Sequence, residues 1–288
     1  PYRRMIAVLI VLQTAQSLAT LMLPSLSADL INDGVLEGDH GFIWRTGAIM
    51  LSFSALQVVF ALCAVWVGAR VAMGFSRDIR RDLFHRVTAF SAREVNTFGA
   101  PSLITRITND VQQVQILIVM GATMMLAAPI TMIVGIVMAV REDVGLSVVI
   151  VVAVPLAGFL LGSVIVRLVP MFQRMQVHVD DVNGVLREQI TGVRVVRAFV
   201  RERREAERFA AANADVTAVG LRTGRLFARM FPLVGMLVNG ASIAALALGA
   251  GRVRSGDLEV GTLIAYISYL TQILMSVMLV TFIASMVP

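Results

Sequence analysis

The stretch "LREQITGVRVVRAFVRERREAERF", residues 186–209, places seven arginines in twenty-four residues of a chain that is otherwise mostly apolar. On a helical wheel Arg187, Arg194, Arg197 and Arg201 fall within about 80° of one another, and Leu186, Val193, Val196 and Val200 occupy the arc beside them. The pattern predicts an amphipathic helix whose apolar arc needs a partner. From Phe199 the character changes: "FVRERREAERF" alternates arginine with glutamate, as a helix end or a turn with a mixed-charge cap would. Taken alone, the stretch fits a solvated face or a docking surface for a protein domain. It also fits a contact with anionic headgroups, weakened by Glu202, Glu205 and Glu207. Nucleic acid fits poorly, because no aromatic platform accompanies the charge.

The surroundings are those of a membrane protein. Of 288 residues, 57% are hydrophobic and 15% charged, well short of the quarter or so charged in a soluble domain. Six apolar windows are long enough to cross a hydrocarbon core, which takes about 20 helical residues: residues 5–28, 47–69, 114–140, 144–166, 226–248 and 261–287. The first is read as a retained span rather than a cleaved leader, since its apolar run is too long and no small-residue cleavage site follows. The connections after the first, third and fifth windows total −4 in charge and the rest of the chain, Arg229 included, +10, so arginine bias puts the N-terminus and both long connections in the cytoplasm. Those connections, residues 70–113 and 170–225, are helix-friendly and predict two rod-like hairpins below the bilayer. The single Cys63 offers no disulfide framework.

The windows themselves are nearly free of ionisable groups, Arg229 at the start of the fifth being the exception. That argues against a proton-coupled carrier or a charged selectivity filter, while leaving open a secondary carrier with polar uncharged sites. Met124, Met275 and Met278 carry flexible thioethers suited to an adaptable apolar cavity, or simply face lipid and neighbouring helices. Gln13, Gln16 and Asn239 expose an amide that lipid solvates badly, so each lines a cavity or bonds to another helix.

The first long connection holds "FGAPS" followed by "LITRITNDVQQV", residues 103–114. This motif and residues 186–205 together resemble the two intracellular loops of the ABC exporter transmembrane domain. Thr105, Arg106 and Asp110 match the first loop; Gly192, Val193, Val195, Val196, Arg197 and Phe199 match the second. Residues 251–274, "GRVRSGDLEVGTLIAYISYLTQIL", are similar to the family's last outer loop and sixth helix, so the likeness extends over nearly the whole chain.

The resemblance implies that residues 1–288 form one all-α membrane domain of a half-transporter in the type IV ABC transporter fold. It would have six transmembrane helices, two cytoplasmic extensions ending in short coupling helices, and a domain-swapped dimer. The first coupling helix falls on Glu94, Val95, Asn96, Thr97, Phe98 and Gly99, the second on Phe199, Val200, Arg201, Glu202, Arg203, Arg204 and Glu205. In the family these dock in grooves of ATPase domains, whose closure on ATP switches the cavity between inward- and outward-facing states. Two departures concern the first tip: the family's aromatic pair and aspartate are replaced by Glu94, Val95 and Asn96, and its glycine by Pro101, as happens in heterodimeric members.

The chain has no lysine and hence no GxxxxGK[ST] phosphate loop. It therefore supplies no catalytic, metal or nucleotide-binding residue; ATP and Mg2+ belong to a nucleotide-binding domain absent from this sequence, in cis or on a separate polypeptide. The implied partners are such domains, a second six-helix subunit, identical or not, and the bilayer of a cell membrane, a bacterial inner membrane by resemblance. Uncharged, methionine-containing spans suggest a hydrophobic or amphipathic substrate, lipid or drug-like, and the family suggests export. An importer built on the exporter fold, and a non-transporting anchor whose hairpins dock a soluble partner, are the other readings.

Overall fold

The structure, a computed structural model, describes residues 2–286; Val287, the last residue of the sixth window, lies outside the described residues. Among the described residues there is no strand. The elements in order are α1 (Arg3–Asp29), a π-helical turn (Leu30–Val35), α2 (His40–Thr88), α3 (Ala92–Phe98), α4 (Ala100–Thr105), a second π-helical turn (Arg106–Asp110), α5 (Val111–Met120), a third (Gly121–Met125), α6 (Ala127–Glu142), α7 (Ser147–Ala198), α8 (Glu202–Ala228), α9 (Met230–Ser255) and α10 (Val260–Met286). Six of these helices or helix runs are long and apolar enough to cross a membrane, so the chain is an all-α protein with six membrane-crossing helices. At 1.5 Å per residue, the 49 residues of α2 and 52 of α7 extend about 74 and 78 Å, far more than a hydrocarbon core of about 30 Å.

The chain forms two compact units, Pro1–Val154 with Gly240–Val280 and Pro155–Asn239 with Thr281–Pro288. The first is built on α10. Tyr266, Tyr269, Leu270, Ile273 and Leu274, spaced to share one helical face, are almost fully buried. Tyr269 donates its hydroxyl to the carbonyl of Leu21 at 2.7 Å, and Tyr266 to that of Leu146 at 2.6 Å. Buried phenols thus find acceptors on two other helical hairpins, which fixes α10 between them. Half of the most apolar window of α10 is buried, against 6% for α2, many of whose apolar side chains are exposed.

Short polar clamps fix the remaining ends of this unit. Asp39 caps α2 by accepting the N–H groups of Gly41 and Phe42 at 2.8 and 3.0 Å. Asp143 accepts the Leu146 N–H at 2.7 Å in the tight α6–α7 turn and pairs with Arg252 near the end of α9. Asn32, in the first π-helical turn, donates to the Glu259 carboxylate and accepts the Gly261 N–H at 2.8 Å. At the opposite end of α1, the Tyr2 hydroxyl donates to Asp78 at 2.6 Å. Its ring lies so close over Gly74 that a Cβ there would come within 2.7 Å of the hydroxyl oxygen.

In the second unit α7 and α8 run antiparallel, joined by the three residues Phe199, Val200 and Arg201. Arg208 of α8 bonds Glu188 of α7 at 2.8 Å, and Phe227 meets Phe282 edge-to-face at 5.9 Å. The apolar arc at the end of α7 is largely uncovered: Leu186, Val193 and Val200 are exposed and Val196 is half-buried. Arg229 stands at the junction of α8 and α9 with helical backbone angles, so the one charge of window 226–248 lies at a local irregularity in a helical run that continues through it.

Candidate functional site

The first tip is the short helix α3. Thr88 closes α2 by returning its hydroxyl to the carbonyls of Phe84 and His85. Ser91 then opens α3 with a reciprocal cap: its hydroxyl accepts the Glu94 N–H at 3.3 Å, and the Glu94 carboxylate accepts the Ser91 N–H at 2.7 Å and its hydroxyl at 2.8 Å. These bonds, the backbone one foremost, hold the Glu94 carboxyl below its ordinary pKa. At the other end Gly99 has φ 76°, a left-handed conformation in which a side chain is strained, and Pro101 follows in the first turn of α4. The chain therefore turns at Gly99 between α3 and α4.

What anchors so short a helix is Phe98. Its ring stacks on Phe90 with centroids 5.8 Å apart, and the Arg106 guanidinium lies 5.5 Å from its centre. Around them Leu83, Val87, Leu103 and Ile107 line a hollow of about 90 Å³. Arg106, singled out by the sequence motif, thus supports α3 through the Phe98 ring. Thr105 returns its hydroxyl to the Pro101 carbonyl at 3.0 Å, and Asp110, exposed, closes the second π-helical turn. Glu94, Asn96, Thr97 and Phe98 are exposed, Val95 and Gly99 half-buried. The helix begins at Ala92, two residues ahead of the stretch read from sequence; the signal for that start is the Ser-x-x-Glu spacing of Ser91 and Glu94.

The second tip is a turn. The N–H of Val200 bonds the Arg197 carbonyl at 3.2 Å and that of Arg201 the Val196 carbonyl at 3.0 Å. Together with φ 54° at Val200, this is the Schellman closure, in which glycine usually takes the left-handed position. Here a β-branched residue takes it. Residues 199–201 are followed directly by α8 from Glu202, so Glu202, Arg203, Arg204 and Glu205 form the first turn of a 27-residue helix rather than a separate short one. Glu202 and Glu205 favour that helix N-terminus electrostatically. Arg203 bonds Glu207 at 3.1 Å, and Arg208 reaches both Glu205 and Glu188. Arg201 and Arg204 pair with no carboxylate among the described residues. Phe199 and Val200 are 72% and 81% exposed, which leaves two apolar side chains at the apex beside two uncompensated cations. Gly192 and Arg197, the other motif residues, lie in the last turns of α7.

Of the residues put forward for a substrate cavity, Gln13 is buried and donates its amide to the Thr123 carbonyl at 3.3 Å. That carbonyl belongs to the third π-helical turn, and one turn further along α1 Ser17 meets Thr131 at 3.0 Å. Met124 lies in the same π-helical turn and is exposed. Gln16 and Met278 are half-buried and Met275 exposed. Asn239, exposed, belongs to the second unit.

The chain thus carries two exposed tips, one a short helix and one a turn, on helices that continue membrane-crossing runs. A family model for the ABC transporter transmembrane region matches residues 6–277, and the chain belongs to that family: it is an ABC transporter membrane domain. It is 42% identical, over its whole length, to half of an uncharacterized ABC transporter ATP-binding protein of Mycobacterium tuberculosis. It is 30% identical over 273 residues, 95% of the chain and 48% of the relative, to another from Bacillus subtilis. A multidrug efflux ATP-binding/permease protein of Mycobacterium tuberculosis is 27% identical over 257 residues, 89% of this chain and 21% of that protein. The chain spans about half the length of the first of these relatives.

Proposed function

We propose that this domain is the membrane half of an ATP-driven exporter of hydrophobic or amphipathic compounds, working as a dimer by alternating access. The observation that carries the reading is the pair of tips. Each is fixed by its own hydrogen bonds and lies exposed, and the second turns Phe199 and Val200 outward beside Arg201 and Arg204, which pair with no carboxylate among the described residues. Both long connections follow even-numbered spans, and the arginine bias puts that side, with the N-terminus, in the cytoplasm. ATPase domains docked there would hold ATP and Mg2+. Their closure would be passed up α2 and α7, each of which continues from a cytoplasmic connection into a membrane span, α7 carrying Pro155 and Pro170 within it. The spans have few charges and several exposed methionines, which supports a lipophilic cargo; the printed name of the multidrug efflux relative supports export.

In the intact transporter, alanine substitution of Arg201, Glu202 and Glu205 tests this placement. Basal ATP hydrolysis should persist while stimulation by a lipophilic substrate falls; unchanged stimulation would remove the second tip from the docking surface. Inverted vesicles should accumulate a lipophilic dye on addition of MgATP. A cysteine at Ser91 should react with an impermeant maleimide only from the cytoplasmic side, and labelling from the other side would reverse the orientation.

A further inference from the structure

At the end of α1 and α2 where the chain enters and leaves the apolar windows 5–28 and 47–69, a cavity of about 170 Å³ opens between the two helices. It is lined by Arg4, Met5, Val8, Trp66, Val67 and Arg70. Arg70 lies over the Trp66 ring, its guanidinium carbon 3.8 Å from the ring centre. Neither Arg4 nor Arg70 has a carboxylate within ion-pair distance among the described residues. Two turns further along α2 the arrangement differs: Arg77 and Arg81 both sit on Asp78, at 3.0 and 3.7 Å. The cations at the cavity are thus left open where their neighbours are neutralised. The walls below them are apolar and exposed, with Met5 at 41%, Val8 at 49% and Trp66 at 57%. The cleft is also held rigid, because the Tyr2–Asp78 bond and the close seat of Tyr2 on Gly74 fix α1 against α2 just beyond it.

We infer that this cleft is a binding site for an anionic phospholipid. Two guanidinium forks above an apolar wall match a phosphodiester that continues into an acyl chain. A free phosphate would satisfy the arginines but leave the wall of Met5, Val8 and Val67 unused, and a zwitterionic headgroup would bring a competing cation to Arg4 and Arg70. Trp66 falls three residues before the end of the apolar window 47–69, and indole rings gather at such ends in bilayers; basic pockets between membrane helices on the cytoplasmic side take lipids of this kind. The leaflet named here rests on the orientation proposed above; the site itself does not.

The test is native mass spectrometry of the intact, delipidated transporter titrated with phosphatidylglycerol or phosphatidylcholine. One phosphatidylglycerol per protomer should bind in preference to phosphatidylcholine. Each arginine replaced by glutamine should weaken that binding about tenfold, the loss of one charged hydrogen-bonding partner. Arg70→Lys should give an intermediate loss, and Arg77→Gln, on a paired arginine of the same helix, none. Equal melting temperatures of all variants in phosphatidylcholine show that they are folded, and phosphatidylglycerol should raise the melting temperature of the wild type but not of the Arg4→Gln/Arg70→Gln double variant. Absence of headgroup preference in the wild type, or the same preference in the double variant, overturns the assignment. Displacement of the lipid by inorganic phosphate or glycerol phosphate at equal concentration overturns it in favour of a soluble anion. None of these readouts depends on ATP turnover, so failure of the transport reading would leave them standing.

Discussion

Phe98→Ala is the sharpest probe of how the first tip is held. A helix of seven residues does not persist in water, since helices under about 12 residues are marginal even in favourable sequences. The cap at Ser91 contributes about 1 kcal/mol. The rest of the anchorage is Phe98. Its stack on Phe90 is worth about 0.5–1.5 kcal/mol, and the Arg106 contact about 0.5–1 kcal/mol at so exposed a place. Being 44% exposed, the ring keeps about half of a full burial, roughly 1–1.5 kcal/mol. Truncation therefore removes about 2–4 kcal/mol, more than the cap can replace, and α3 should unfold locally while α2 stays intact. Hydrogen exchange reads this directly at the N–H groups of Val95 and Gly99, which bond Ser91 and Val95 inside the tip. Their protection should fall by at least about thirtyfold, and Phe98→Leu, which keeps burial but not the stack, should fall between. If both amides keep wild-type protection in Phe98→Ala, the aromatic clamp is not what orders α3.

Three further outcomes follow from local geometry. Val200→Gly should leave the α7–α8 turn at least as stable as the wild type although it deletes a side chain: relief of a left-handed valine is worth about 1–2 kcal/mol, against about 0.5–1 kcal/mol for glycine's extra freedom when unfolded; slower exchange at Val200 and Arg201 in Val200→Ala than in Val200→Gly would contradict this. The Glu94 carboxyl has a folded pKa below its unfolded value, so its support of α3 is complete above about pH 4.3 and drains away as pH falls through the folded pKa; exchange within α3 should accelerate over that acid window, and Glu94→Gln should flatten the dependence. Tyr269→Phe leaves the Leu21 carbonyl without its buried donor and should lower the melting temperature in detergent by the equivalent of about 0.6–1.7 kcal/mol, the range for hydrogen bonds within membranes.

The six crossings could be read from the chain because a bilayer imposes a length and a polarity that few other structures share. The tips were half legible. "SARE" carries the spacing of a capping box in plain view, whereas "AFVRE" contains no glycine or proline: the change of charge pattern at Phe199 marks the end of α7 at Ala198, but nothing local places a left-handed residue at Val200. The π-helical turns were invisible for another reason: one extra residue per turn leaves no trace in an uninterrupted apolar run such as the one around Gly121–Met125. Gln13 shows the limit of polarity arguments in membranes. The sequence shows that its amide needs a partner; only the fold shows that the Thr123 carbonyl, in one of those turns, accepts it.

The contacts that join α1 to α10 are graded by access to water. Near the loops, Asn32 holds Glu259 and the Gly261 N–H at a partly exposed spot, where each bond can be exchanged for one to solvent at a net cost of about 0.5–1.5 kcal/mol. Deeper, the Tyr269 hydroxyl and the Leu21 carbonyl are buried and have no such substitute. Separation of these two helices therefore has a built-in direction, like a seam that can only be unpicked from its wet end. The loop-side stitch gives way first, and each later one waits for water to follow.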